Sequence, residues 1–365
     1  MHARAKHAEK TKSIDGHDWP LVSVIMPVRN EARFIRRSLM SVLAQDYPPD
    51  RLEVIVVDGM SDDGTPAIVE EVFAAFLDSC NLKHNLPKEI RQARYFTMKL
   101  LKNPSLIAPA ALNIGLREAQ GEIIIRVDGH CEIAPDYVLR CIKALDETGA
   151  DCVGGLQRSE AITLKGRAIV LATSSRFGIG NARFRYEKRP QWADTVYLGA
   201  YRRKVFEHVG KFDEELVRNQ DDEFNFRLIQ HGGRIWLDPG IRSVYYSRST
   251  FRGLWRQYFQ YGFYKVRVIQ KRRGIASWRH LVPGVFVSIL GCSALVSVFT
   301  GQAVWFLSVA TPYVLAALSA SISSARKDWK VLPFLPVAYA ILHLSYGSGF
   351  LLGLVYWGRR PISHK

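Results

Sequence analysis

A chain of 365 residues with a formal charge of +16 can bury a full-sized core and still leave material for a second module. Much of the basic excess is local: Lys265, Arg267, Lys271, Arg272, Arg273 and Arg279 precede the first long uncharged stretch with no acid among them, which suits anionic lipid at a cytoplasmic surface and argues against nucleic acid. The five cysteines (Cys80, Cys131, Cys141, Cys152, Cys292) show no C-x-x-C pair and no His–Cys metal spacing, so they read as thiols of a reducing compartment.

The first 18 residues are polar and lack a continuous apolar core; 1–19 is expected to be a flexible arm rather than a signal peptide. Leu21–Met26, closed by Pro27, and Glu53–Asp58 are β-rich runs. Between them Phe34, Ile35, Leu39, Val42 and Leu43 fall at helical spacing. Thr65-Pro66 opens a further helix, with Thr as cap and Pro in the first turn. Pro109–Ala119 reads as helix, Glu122–Asp128 as an apolar strand, Pro135–Leu145 as helix and Asp151–Gly155 as strand. This alternation predicts an α/β domain on a mainly parallel central sheet. Asp58-Gly59 and Asp128-Gly129 follow strand ends, the edge at which open α/β sheets bind ligands. No G-x-G-x-x-G follows the first strand and no G-x-x-x-x-G-K-[ST] occurs, which argues against dinucleotide and P-loop sites.

Phe251–Gly262 is amphipathic and reads as an interface helix. Leu281–Ile322 and Val331–Gly358 contain no charged side chain, and both exceed the roughly 20 residues needed to cross a bilayer. Leu281–Thr300 and Ala303–Ile322, joined by Gly301-Gln302, form a tight hairpin of two spans that returns Arg326, Lys327 and Lys330 to the basic side. Val331–Trp357 admits two readings. A third span, the expectation, would export Arg359, Arg360 and Lys365 against the positive-inside rule. A re-entrant hairpin about Tyr346–Gly349 would need protein cover. His343 in this segment reads as a packing residue.

The opening Val22-Ser-Val-Ile-Met-Pro-Val-Arg-Asn-Glu31 and Val56-Val-Asp-Gly-Met-Ser-Asp-Asp-Gly-Thr65 closely resemble the start of family 2 glycosyltransferases. Asn113-Ile-Gly115, Gly121-Glu122 and Arg126-Val-Asp-Gly-His130 match the next block. Leu198-Gly-Ala200, Val209-Gly-Lys-Phe-Asp-Glu214 and Gln220-Asp-Asp-Glu-Phe-Asn-Phe-Arg-Leu228 match the last. Order and spacing agree from Leu21 to near Gly274, and the D-G-H form with a membrane tail looks most like succinoglycan-type exopolysaccharide glucosyltransferases. The resemblance implies a GT-A fold, a nucleoside-diphosphate sugar donor, a divalent metal and inversion at the anomeric carbon. The expected organisation is an arm (1–19), a GT-A domain (20–250), a basic interface segment (251–280), a membrane domain of two to three hydrophobic segments (281–358) and a basic tail (359–365). The protein would be multi-pass in the inner cell membrane, with its catalytic domain cytoplasmic.

By the same resemblance Pro27, Arg29, Asn30 and Glu31 lie beneath the uracil and ribose of a UDP-sugar, with Asp58 accepting from base or ribose and Arg126 and Asp128 also at the donor. Asp58 alone could equally be a turn acid. Asp128 and His130 hold the metal; the imidazole favours Mn²⁺ over Mg²⁺. Asp221 is the base that takes the acceptor hydroxyl's proton, and Asp222 is its near alternative on the acceptor side. Acids at a helix N-terminus also complement the helix dipole, a blander reading of Asp222 or Glu223. Gly199 and Ala200 form the floor under the acceptor. The expected acceptor is a saccharide on a polyprenyl diphosphate, other polysaccharide-assembly proteins being further partners. The competing reading is an inactive membrane scaffold, motivated by histidine at position 130.

Overall fold

A computed structural model describes residues 19–84, 97–180, 182–246, 250–274, 277–326 and 328–361; the expected arm up to residue 18, Lys327 and Lys365 lie outside these. The first strands are β1 (Val22–Val28) and β2 (Leu52–Asp58), with helices α1 (Ile35–Leu43) and α2 (Thr65–His84) after them. Every residue of β2 is buried, as expected for a strand covered on both faces. Edge strand β3 (Thr97–Lys102) pairs parallel with β2, and its end residues Thr97 and Lys102 are exposed. Helix α3 (Ala108–Glu118) leads to β4 (Ile123–Arg126), which lies parallel to β1 on its other side.

Beyond β4 the sheet turns mixed. Further elements are β5 (Cys131–Ile133), α4 (Tyr137–Thr148), β6 (Cys152–Glu160), α5 (Leu164–Thr173), α6 (Arg176–Ile179), β7 (Gln191–Trp192), β8 (Tyr197–Arg202), α7 (Arg203–Val209), α8 (Gln220–Gln230) and β9 (Ile235–Tyr246). The order is β3-β2-β1-β4-β8-β6-β9-β5, with β7 on β9. Strand β8 runs antiparallel to both β4 and β6, and β6 is parallel to β9. The parallel sheet expected from the sequence is thus the β3-to-β4 part.

Two matched motifs prove to be one joint. The Asn113 amide donates to Phe212 O (2.9 Å) and accepts from Phe212 N–H (3.0 Å), tying α3 to the Val209–Glu214 run. Gly115 lets α3 close on β1, since a Cβ there would lie 2.4 Å from Ile25 Cγ2.

The tail comprises α9 (Phe251–Arg272), α10 (Val282–Thr300), α11 (Val304–Ala325) and α12 (Leu335–Gly358). Three segments, Trp278–Thr300, Val304–Ala325 and Trp329–Gly358, are long and apolar enough to cross a membrane. Helix α12 is continuous through Tyr346–Gly349, so the re-entrant hairpin is not formed. It runs parallel to α9 along its length: Leu254 packs with Leu342, Gly262 meets Tyr346, and Trp357 Nε1 donates to Phe263 O (3.1 Å). The seam is backbone against backbone, because a Cβ on Gly262 would fall 2.0 Å from Tyr346 O and one on Gly349 2.1 Å from Phe259 O.

The basic cluster corrects its sequence reading. Lys265 pairs with Asp222, Arg267 with Glu215, Lys271 with Asp213 and Glu215, Arg272 with Glu223, and Arg279 with Asp194. Acids distant in sequence therefore claim most of the charges assigned to lipid, and they dock α9 onto the α/β domain. Replacing Gly262 by Leu should destabilise the detergent-solubilised protein by about 1–3 kcal/mol through overpacking. Gly291→Ala, where nothing lies within 4 Å of the added carbon, should leave its thermal midpoint unchanged.

Candidate active site

A cavity of about 940 Å³ opens at the carboxyl ends of β1 and β4 and continues down to α9–α12. Pro27, Arg29, Glu31 and Gly59 line its upper end, with Arg126, Asp128 and His130 below. Asn30 and Asp58 stand beside the cavity as builders of its rim. Asn30 holds a left-handed backbone (φ 54°), its N–H donates to Ser61 Oγ (2.8 Å), and its Oδ1 accepts from Asp62 N–H (3.1 Å). Both Asp58 oxygens accept from Ser61, from the N–H at 2.9 Å and the hydroxyl at 2.6 Å, which is the turn-acid arrangement.

Glu31 does more than line the loop. Its Oε1 lies 2.7 Å from His130 Nδ1, and the imidazole edge packs on Tyr245. A carboxylate on one ring nitrogen is the usual device for orienting a metal-binding histidine. Ligand atoms of Asp128, His130 and Cys131 lie within 4.8 Å of one another. Cys131 is engaged elsewhere: its buried sulfur lies 2.6 Å from the Tyr197 hydroxyl. One oxygen and one imidazole remain, a donor set that fits a divalent cation and is better matched to Mn²⁺ than to Mg²⁺.

The three acids opening α8 have separate tasks. Glu223 is fully buried and takes two bonds from Arg227, at 2.9 and 3.0 Å. Breaking such a pair costs about 3–5 kcal/mol, so Glu223 is committed to the fold. Asp222 lies on the cavity wall, held by Lys265. Asp221 faces Arg126, whose Nε also donates to Asp128 Oδ1 (2.8 Å) while Nη1 reaches Asp221. One guanidinium therefore joins the Asp128 and Asp221 carboxylates within a single cavity. Surrounding protein raises the Asp221 carboxyl above its ordinary value; Arg126 opposes the shift and Asp128 adds to it. Its side chain is nevertheless 42% accessible through the cavity, so a ligand can reach it.

Gly199 and Ala200 lie outside the cavity lining. Both are buried in β8 away from the cavity, and Gly199 makes room for the Tyr201 ring. Thr195, Val196 and Tyr197, just before them, reach the lining instead. The sequence reading also missed Gln157, Arg176, Arg185 and Arg218, because these belong to no matched motif. Trp192 and Trp236 pair edge-on with each other, and His343 packs between Phe177 O (2.9 Å) and the Tyr313 hydroxyl (3.0 Å).

An α/β fold with two carboxylates held by one arginine at the carboxyl ends of its strands is the setting of a glycosyltransferase. The Glycosyl transferase family 2 sequence model matches residues 23–210, and the chain belongs to that family. Succinoglycan biosynthesis protein ExoA of Rhizobium meliloti is 28% identical over 342 residues, covering 92% of this chain and 96% of that protein. A dolichyl N-acetyl-α-D-glucosaminyl phosphate 3-β-D-2,3-diacetamido-2,3-dideoxy-β-D-glucuronosyltransferase of Methanococcus voltae is 27% identical, covering 92% and 97%. Among solved structures, the mannosyltransferase PcManGT of Pyrobaculum calidifontis with GDP-Man and Mn²⁺ superposes with a TM-score of 0.56 at 21% identity, covering 93% of this chain and 88% of that one. The fold is GT-A.

In the role of base expected from the sequence, Asp221 must be ionised, so transfer should fall as pH drops through its raised value. Arg126→Gln removes the charge that opposes that shift, and the acid limb of its rate–pH profile should move to higher pH; an unmoved limb would separate Asp221 from the titration.

Proposed function

We propose that the chain is an inverting transferase that moves a sugar, glucose by the resemblance of its motifs, from a UDP-sugar to a lipid-linked saccharide in cell-surface polysaccharide synthesis. The observation that carries this reading is Arg126 bridging Asp128 and Asp221. The names of ExoA and of the dolichyl-phosphate enzyme support the polysaccharide and lipid-linked parts, and the GDP-Man and Mn²⁺ complex supports the donor class and the cation.

Asp221 accepts the proton of the acceptor hydroxyl as that oxygen bonds to the anomeric carbon. The bond from that carbon to the diphosphate oxygen breaks on the opposite face, and UDP leaves with the electron pair. Asp128 and His130 would hold a divalent cation, Mn²⁺ or Mg²⁺, which when bound neutralises charge growing on the leaving diphosphate. Arg126 positions both carboxylates and adds a fixed positive charge beside the breaking bond. Pro27, Arg29, Asn30, Glu31 and Asp58 form and brace the nucleotide loop, and Asp222 with Lys265 lies on the acceptor side. Gly199 and Ala200 act behind the lining.

The α10–α11 hairpin crosses the inner membrane and the α/β domain stays cytoplasmic. Helix α12 follows α9, which carries the basic pairs to that domain; Arg267 donates to Arg360 O (3.3 Å) and Pro361 O (3.2 Å). This supports α12 lying at headgroup depth, leaving Arg359 and Arg360 on the cytoplasmic side as the positive-inside rule favours. An impermeant maleimide should label Arg359→Cys and Arg273→Cys from the same, cytoplasmic face; labelling of position 359 from outside would restore a third span.

Membranes given radiolabelled UDP-glucose and other nucleotide-sugars should transfer label to extractable lipid, and EDTA should stop it. Asp221→Asn should slow transfer roughly 100- to 10,000-fold, the usual contribution of a general base. Full transfer by that variant would refute the base assignment, and transfer unaffected by EDTA would remove the metal.

A further inference from the structure

The charges lining the cavity do not balance at its lower end. Asp128 and Asp221 hold Arg126, Asp222 holds Lys265, and Asp194 lies 3.0 Å from Arg279. Arg176 and Arg185 have no carboxylate partner among the described residues, though both line the cavity. Beside the Lys265 and Arg279 charges sits His280, only 8% exposed; its Nδ1 is 3.5 Å from the Tyr346 hydroxyl and its Nε2 has no hydrogen-bond partner among the described residues. A buried polar atom without a partner is costly, and one that lines a cavity is positioned to meet a ligand.

These groups sit where the α/β domain meets the tail. Phe177, next to Arg176, packs its ring on Tyr339 and His343 of α12, at 5.0 and 5.1 Å. Below the cations the wall becomes apolar, with Phe286, Tyr313, Leu342 and Tyr346 contributed by α10, α11 and α12. The same hairpin exposes large apolar side chains outward, Val298 at 78% and Phe299 at 85%, a surface suited to lipid. Neither arginine pairs with Asp128, His130 or Asp221, and Phe177, next to Arg176, contacts α12 instead.

We propose that this junction is the subsite for the phosphate groups of a polyprenyl-type lipid acceptor, bound by Arg176, Arg185 and His280 Nε2, with its first isoprenoid units on the Phe286–Tyr313–Leu342 wall. The inference rests on the transferase reading and gives its acceptor a location. The phosphates bind at headgroup depth, the chain passes between the helices toward the bilayer, and the attached saccharide extends up the cavity to Asp221. Arginine suits this task because its planar fork pairs with phosphate oxygens and keeps its charge.

The test uses the full chain in detergent with three probes: decaprenyl diphosphate, decaprenol and inorganic diphosphate. The lipid diphosphate should bind at least about tenfold more tightly than either other probe, since it alone engages both cations and wall. Arg176→Ala/Arg185→Ala should weaken it by about tenfold or more while UDP affinity in Mn²⁺ and the thermal midpoint stay unchanged. His280→Phe should weaken it likewise; should that buried variant misfold, the arginine pair decides alone. Equal binding of decaprenol and decaprenyl diphosphate would overturn the phosphate subsite. Equal binding of inorganic diphosphate would make it a free-anion site, and parallel loss of UDP affinity in the double variant would make the arginines donor-side or structural. If the wild type binds UDP and transfers sugar but the double variant keeps its lipid affinity, the subsite alone fails. If the wild type does not bind UDP, the transferase reading falls with it.

Discussion

Arg126 stands between two carboxylates that would otherwise repel each other, and the catalytic arrangement depends on it. It comes from the end of β4, Asp128 follows two residues later, and Asp221 is presented by α8 from the far half of the chain. Each acid has a different use for ionisation. In the proposed mechanism Asp128 keeps its charge to hold a cation, whereas Asp221 gains and loses a proton. A shared guanidinium restrains the rise in the Asp221 value without abolishing it, because burial and Asp128 push the other way.

The same economy of charge explains how the tail is attached. Asp213, Glu215, Asp222 and Glu223 all lie in or beside matched family motifs, and each pairs with a basic residue of α9. Several motif acids therefore serve the docking of the interface helix. The active-site end of α8 and the membrane-facing end of the cavity are held in one frame, with α12 sealed along α9 through glycine backbones.

Parts of the site were legible for a local reason. Asp58-Gly59 and Asp128-Gly129 are short-range patterns at strand ends, and the D-G-H triplet puts Asp128 and His130 within reach of one ion however the rest packs. Asp221 could be singled out from its neighbours by motif register. The reason it differs from Glu223 became visible only when Arg227 and Arg272 were seen to occupy Glu223. Glu31 was placed in the nucleotide loop, while its bond to His130 crosses from one strand end to another.

The sequence by itself determined the family, the α/β class, the apolar hairpin and the residues able to do the chemistry, since each is written in short runs whose periodicity or spacing carries the information. Only the tertiary structure decided which of three adjacent acids faces Arg126, where the basic cluster spends its charge, and that α12 lies along α9. Those outcomes depend on pairings between segments far apart in the chain, such as Lys265 with Asp222 and Gly262 with Tyr346, and a long-range pairing leaves no local pattern to read.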